Sequence, residues 1–424
     1  MKKMYWIACL LVVSATEAQV DVPVVPGKPL TLTEAWRLGE SNSVKLKAAY
    51  AAVDVAEGHA ADTRGLLWNN PEISAERTQR KAPVSEVTPT TTREWAVGIS
   101  QTLEVAGQQG YRREAALQGL ATAQFLAQET ERDVRAEIER RFVQVLALQS
   151  RIGIEQASLS LVDSTATFAG KRVTAGEDSK LDGNMALIEA GRARNQLSVL
   201  TDQLLQARAE LGEILQWPPI TLPEVVGDLE VSKATQPLDK LLSLTADRAH
   251  LKALQAKENA ASSRLHLERA ARFPDVTVGL GVGREGQQEF REKTTLFTVS
   301  VPLPLFKRNA GNVAQANADL FNARAERRAG ERDTEANVRV LWHRHESLIA
   351  RVKTLRDAVL PALEENQRLS QTALREGEIS LAQQIAINRQ LLEGRRDLVE
   401  ATTELRTTRI ALYQAAGISD AVPR

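Results

Sequence analysis

Two hydrophobic periods alternate along this chain. Val276, Val278, Leu280 and Val282 alternate with Thr277, Gly279 and Gly281. Phe297, Val299, Val301 and Leu303 alternate with Thr298, Ser300 and Pro302. A period of two with one apolar face predicts β-strands over 273–283 and 294–305. Trp95, Val97 and Ile99 repeat the pattern, Ile73 and Ala75 do so weakly, and they predict strands over 68–80 and 93–104. The intervening loops, 80–93 and 284–293, are polar. Each strand is about ten residues, the length a tilted strand needs to cross a bilayer. A small soluble sheet with one buried face would show the same alternation.

After each strand pair the period changes to seven. Leu117, Ile138, Val145, Ile152, Leu159 and Val173 stand on one series, with Leu120, Val134, Leu148 and Val162 on its companion. Val338, Val352 and Val359, with Leu341, Leu348, Leu355 and Leu369, do the same later. Apolar heptads sustained this long mark a coiled-coil seam. They predict helices over 107–175 and 309–375, the first on the order of 100 Å long. Pro361 is expected to kink the second.

Both rods stop at matched turns. Gly176 and Gly377 follow the last periodic residues, the usual place for a helix stop. Ser179 precedes Asp182 by three and Ser380 precedes Gln383 by three, which is capping-box spacing. Each turn is therefore expected to reverse the chain into a return helix, over 180–216 and 380–416. Helices over about 32–67 and 237–272 are expected to lead into the strand pairs.

The chain is thus written twice. Pro71 and Pro274 are 203 residues apart, Leu103 and Leu305 are 202 apart, and Gly176 and Gly377 are 201 apart. A near-constant offset predicts a first repeat over 19–216 and a second over 237–416, with a tail at 417–424. One continuous rod is matched against a rod in two pieces, twice over. Segments 19–30 and 217–236, the latter an equatorial linker, are expected at the mid-height joints.

Composition narrows the class. Lys+Arg and Asp+Glu are both 54, so nothing suggests nucleic acid as a partner. Lys2, Lys3 and the apolar run from Met4 to Val13 predict an export signal over 1–18, with cleavage after Ala18. The one cysteine, Cys9, lies within it, so the processed chain would have no thiol. Cleavage before Cys9 for a lipid anchor would leave too short a signal.

Four bilayer-length strands have two open edges, which lipid does not tolerate, and they are too few to close a barrel. If they lie in a membrane the chain must oligomerise, and three copies would give twelve strands. The expected fold class is mainly α, with long antiparallel coiled-coil helices forming an α-barrel below a small membrane β-barrel. A tube of helices accounts for Arg141, Glu155 and His345, polar intrusions in the seams, because some seam-adjacent positions would face a wet lumen; His345 is expected to be packed or lumen-facing.

From "LTLTEAWRLG" through "ELRTTRIALYQAAGI" the chain resembles the TolC-like outer-membrane efflux proteins. The two-fold repeat, the strand-to-helix stretches and the turns "AGEDSKLD" and "EGEISLAQ" carry the resemblance. "ISQTLEVAGQ" and "VSVPLPLFKRNAGN" are similar to the CzcC-like subgroup that serves heavy-metal pumps. The resemblance implies a homotrimeric channel-tunnel in a Gram-negative outer membrane with a long periplasmic extension. Its implied partners are outer-membrane lipid, a periplasmic membrane-fusion adaptor and an inner-membrane pump of the resistance-nodulation-division class. It implies a passive exit duct, with heavy-metal cations as cargo. Drugs or type I secreted proteins are alternative cargoes, and a periplasmic coiled-coil scaffold is the more distant alternative.

On the same resemblance, Arg172, Gly176, Glu177, Asp178, Asp182, Arg375, Gly377 and Glu378 would form the closing and adaptor-docking tip. The family places an arginine two residues after the second glycine, as partner to the acid at Asp182. Ile379 stands there instead, so Asp182 is expected mainly to cap its helix. Gly107, Pro302, Pro304, Asn309 and Gly311 would form the junction between barrel and helices. His343 and His345 are two apart and point to different helix faces, so no metal site is expected. No nucleophile–base constellation, phosphate loop or cofactor motif is present, and no enzymatic activity is expected.

Overall fold

The computed structural model describes residues 29–82, 90–177, 179–230, 236–286 and 291–418. The export signal over 1–18, Asp178, and parts of the two polar loops, the linker and the tail lie outside the described residues.

The chain is mainly helical with one four-stranded antiparallel sheet. Its elements run α1 (Leu32–Asn42), α2 (Val44–Asp62), β1 (Glu72–Ala82), β2 (Thr90–Leu103), α3 (Gln108–Ala175) and α4 (Lys180–Leu215). They continue with α5 (Leu238–Thr245), α6 (Ala249–Ala270), β3 (Val276–Glu285), β4 (Glu292–Ser300), α7 (Ala310–Thr354), α8 (Leu360–Glu376) and α9 (Leu381–Ala416).

The helices line up side by side around two long rods. Near the sheet, α3 lies between α2 and α6, and α7 packs on α6. Farther away, α3 lies between α4 and α9, and α9 packs on α7 and α8. The main core sits at mid-height, where Phe142, Ile138 and Val145 of α3 meet Leu200, Leu211 and Leu215 of α4 and Leu38 of α1. There Leu30 and Val225 form a β-bridge, with Leu30 N–H donating to Glu224 O at 2.6 Å. Leu241, Val338 and Leu412 build a second cluster between α5, α7 and α9.

Several expectations need correction. The segment 32–67 is two helices, because Ser43 leaves helical geometry at ψ 118 and its hydroxyl accepts from the Leu46 amide. That local bond competes with continuing the helix. The segment 237–272 likewise breaks at Arg248, at ψ 132. The last strand ends at Ser300 rather than 305. Pro302 and Pro304 have no N–H for a ladder. At Pro361 the rod continues through a π-helical turn, Leu355–Val359, in which Leu360 N–H donates to Leu355 O. The wider turn relieves the clash between the proline ring and the carbonyl four residues back.

Among the polar intrusions, Glu155 also departs from expectation. Glu155 is 1% exposed and His345 is 2% exposed within the single chain. Glu155 lies between helices rather than facing a lumen, and His345 takes the packed one of its two expected settings. Arg141 is half-buried and paired with Glu137 and Glu210.

Candidate functional site

The sheet has strand order β1-β2-β3-β4, so β1 and β4 are its free edges. Register assigns every side chain to a face. Ile73, Ile99, Leu280 and Phe297 form one cross-strand row, and Ala75, Val97 and Val282 form the next. Val278 and Val299 continue this apolar face, and its larger side chains are exposed. The opposite face is mainly small and polar: Ser74, Gly98 and Gly281 stand in one row, which Leu296 completes, and Ser100, Gly279 and Thr298 in another. Thr102 and Thr277 hydroxyls meet there at 2.9 Å. A Cβ at Gly283 would lie 2.8 Å from the Trp95 carbonyl oxygen, so glycine is needed for that close approach.

Charge is sorted across the end of the sheet farther from the helices. Glu76, Glu94, Glu285 and Glu292 are on the small-residue face, with Arg80 3.6 Å from Glu94. Arg77, Arg284 and Lys293 are on the apolar face. Sequence reading missed this sorting, because it emerges only when the strands are placed in register.

At the helix end of the sheet, both exits use a left-handed residue as N-cap. Gly107 has φ 79 before α3 and Asn309 has φ 55 before α7. These are the two positions where the chain swivels from strand to helix. Asn309 offsets the strain of its conformation with side-chain bonds, donating to Glu268 O at 2.9 Å and to Glu268 Oε2 at 2.6 Å. Pro302 and Pro304 lie in a stretch without ladder pairing, where Leu305 N–H turns back to Leu303 O at 2.9 Å. Gly311 has ordinary helical geometry within α7, and a Cβ there would meet nothing within 4 Å, so the swivel does not depend on it.

The residues that lock the junction were not evident from sequence. Gln108 is buried, accepts from Ala106 N–H at 2.7 Å and donates to Asp275 Oδ1 at 3.2 Å. It thereby ties the start of α3 to the start of β3. Arg112 grips Glu104 through two bonds of 2.8 and 2.6 Å, and its guanidinium lies 4.1 Å from the Trp68 ring centroid.

The opposite end of the molecule holds the two turns. Gly176 and Gly377 both have φ 78. Glu177 N–H donates to Arg172 O and Gly176 N–H to Val173 O; Glu378 N–H and Gly377 N–H bond Ala373 O and Leu374 O in the same way. These are Schellman closures, which require a left-handed residue. Ala169, Ala186 and Leu381, with Leu374 and Ile385, pack the two hairpins together just above the turns.

The capping boxes differ. Ser380 and Gln383 form a complete one. Ser179 Oγ accepts from Asp182 N–H at 3.2 Å and donates to Asp182 Oδ2 at 2.6 Å, so the carboxylate takes the hydroxyl and not the Ser179 amide. Aspartate is one methylene shorter than glutamine, and the reciprocal half of the box is missing. Arg172 lies 3.7 Å from Glu177, and Arg375 donates to Gln371 O of its own helix.

Above the turns a cleft of about 430 Å³ opens between α4 and α9, lined by Val162, Glu189, Arg192, Ile385, Arg389 and Arg396. Glu189 pairs with Arg389 across it. Arg396 clasps Glu155 of α3 with bonds of 2.6 and 2.8 Å. The Glu189–Arg389 separation of 200 residues is close to the internal offset, which is the one sequence signal that could have found it.

Among the described residues no cluster of three or more His, Cys, Asp or Glu side chains could hold a metal ion, and no helix is long and apolar enough to cross a membrane. The arrangement is one of walls, edges and turns.

Residues 38–215 and 241–418 each match the outer membrane efflux protein family. The chain belongs to that family. This outer membrane efflux protein is 27% identical over 378 residues to the cobalt-zinc-cadmium resistance protein CzcC of Cupriavidus metallidurans, covering 88% of this chain and 87% of that one. It is 22% identical to the nickel-cobalt-cadmium resistance protein NccC of Alcaligenes xylosoxydans xylosoxydans, covering 80% and 76%. Its fold matches the solved transmembrane channel protein CusC with a TM-score of 0.76 at 15% identity, covering 92% of each chain. It is therefore an outer-membrane duct protein with the channel-tunnel fold and a long periplasmic helical part.

Proposed function

We propose that this outer membrane efflux protein is the passive exit duct of a tripartite pump and that its cargo is divalent heavy-metal cations. The observation that carries the duct is the sheet: one apolar face, one small polar face, and unpaired edges at β1 and β4. Unpaired edges in lipid cost several kcal/mol per orphaned group, about the strength of the bonds lost. Three copies joined β4 to β1 make a closed barrel of about twelve strands, an allowed size. The helices then continue the wall as a tube, with the turns at Gly176 and Gly377 at its periplasmic tip. There a membrane-fusion adaptor and a resistance-nodulation-division pump dock, and the pump supplies the energy.

The cargo reading has two supports. CzcC and NccC are named for resistance to cobalt, zinc, cadmium and nickel. The inward face of the barrel's outer end carries Glu76, Glu94, Glu285 and Glu292, with Arg80 beside Glu94, and the excess of acid gives a field that favours cations over anions. The duct passes ions without chelating them, and selection belongs to the pump.

Fractionation and unheated electrophoresis test the duct: a detergent-stable trimer in the outer membrane is expected, and a soluble periplasmic monomer refutes it. Deletion tests the cargo: sensitivity to cobalt, zinc, cadmium or nickel is expected. Loss of drug tolerance or of protein secretion alone refutes the metal assignment.

A further inference from the structure

The apolar face of the sheet ends in a row of cations. Arg77 pairs in register with Trp95, Trp95 with Arg284, and Arg284 with Lys293. The four side chains therefore stand beside one another across all four strands, and all are exposed. One step farther out, Arg93 opposite Gln79 is on the same face. No acidic side chain shares this face at that level; the glutamates Glu76, Glu94, Glu285 and Glu292 all have the opposite parity. Arg77, Arg93, Arg284 and Lys293 form no ion pair with another described residue, although glutamates are one position away along each strand.

The height of the row is also defined. From Leu103 and Val276 at the helix end to Trp95, the apolar face runs about 26 Å along the strand at about 3.3 Å per residue. That is close to the thickness of the apolar band on an outer-membrane barrel, about 25 Å. The row lies at the end of the sheet away from the helices, toward Ala82, Thr90, Glu285 and Glu292. Tryptophan beside cations is the arrangement expected where hydrocarbon gives way to headgroups. Long basic side chains reach from such a position to the polar layer.

We infer that Arg77, Arg284 and Lys293, flanked by Trp95 and Arg93, form a binding collar for the phosphate groups of the outer-leaflet glycolipid. The inference rests on the outer-membrane duct reading, which fixes the apolar face toward lipid. Charge complementarity selects the occupant. A neutral headgroup would leave the three cations without counter-charge, whereas a phosphorylated sugar headgroup supplies several acceptor oxygens per molecule. Guanidinium groups match phosphate through paired donors. Sorting acids to the other face keeps the collar from neutralising itself, and it leaves the lumen attractive to cations and the rim attractive to anions.

The test uses the full-length protein extracted from outer membranes and titrated, in mixed detergent micelles, with phosphorylated lipid A and with the same lipid after dephosphorylation. The wild type is expected to bind the phosphorylated form at least about tenfold more tightly, a preference that weakens with salt. Arg77→Gln, Arg284→Gln and Lys293→Gln combined should abolish the preference. Arg77→Lys with Arg284→Lys and Lys293→Arg should keep most of it, and Glu76→Gln with Glu94→Gln should leave it unchanged. Equal binding of the two lipids by the wild type overturns the collar, as does an undiminished preference in the Gln variant. Full displacement of the lipid by millimolar inorganic phosphate also overturns it, in favour of a free-anion site. Membrane fractionation of the wild type separates the two readings. Absence from the outer membrane refutes the duct and with it the collar, whereas an outer-membrane trimer without phosphate preference refutes the collar alone.

Discussion

Removing the Arg396 side chain should loosen the contact between α3 and α9 without unfolding the rest of the molecule. Glu155 is 1% exposed and Arg396 is 31% exposed, and two bonds of 2.6 and 2.8 Å join them. The hydrogen bonds to Glu155 outweigh burial and hold the Arg396 guanidinium more firmly protonated than usual. Arg396→Ala leaves the Glu155 carboxylate buried without that partner, for which the cost is about 3–5 kcal/mol. Partial exposure of the arginine lets water enter the vacated space, so the lower end, about 3 kcal/mol, is expected. At about 1.4 kcal/mol per tenfold, local opening should become roughly a hundredfold more frequent. Amide hydrogen exchange over 150–160 and 391–401 reads this directly, and the mid-height core around Phe142 serves as the internal reference. The combined Glu155→Leu and Arg396→Leu variant should recover most of the protection, because a packed apolar pair is about as good as a buried ion pair. Acceleration below about threefold in Arg396→Ala would refute the reasoning. So would a double variant as labile as the single one, since the cost would then come from lost packing rather than an orphaned charge.

Three further outcomes follow from the geometry. Burial holds the His345 imidazole below its ordinary value of 6.5, with Glu346 and Arg409 acting in opposite directions. The unfolded chain then binds the proton more readily, so stability is complete above about pH 6.5 and declines as pH falls below it; His345→Asn should remove this slope from thermal midpoints. The loss contributed by Glu137 and Glu258 belongs to lower pH. Burial opposes their charge, but paired arginines hold both carboxyls below the ordinary 4.5. Gly377→Ala places a Cβ at φ 78 and should cost about 1–2 kcal/mol at the turn, seen as faster proteolysis there, while Asn309→Gly, at a position already left-handed, should lose only the side-chain bonds to Glu268 and from Asn312. Gly283→Ala drives a Cβ toward the backbone carbonyl of Trp95, 2.8 Å away, and should lower the yield of unheated trimer and metal tolerance together, whereas Gly311→Ala should change neither.

The strands, the long rods and both turns were legible in the sequence because each is set by residues within a few positions of one another. Alternation fixes a strand face, heptads fix a helix seam, and a glycine followed by a serine cap fixes a reversal. The junction stretches around Gly107 and Asn309 were visible for the same reason, but their left-handed backbone was not. What surrounds each rod was not. Glu155 and His345 look like polar faults in a seam until α9 supplies Arg396 from 241 residues away and the fold buries the imidazole. Ser43 looks like an ordinary helix residue until its hydroxyl is seen capping the next helix. The sorting of charge on the sheet needs strand register, and a slip of one residue would exchange its two faces. Local order was therefore determined by neighbouring residues. Burial, ion pairing and the chemistry of each face were decided by tertiary structure, because they depend on side chains that the chain brings together only on folding.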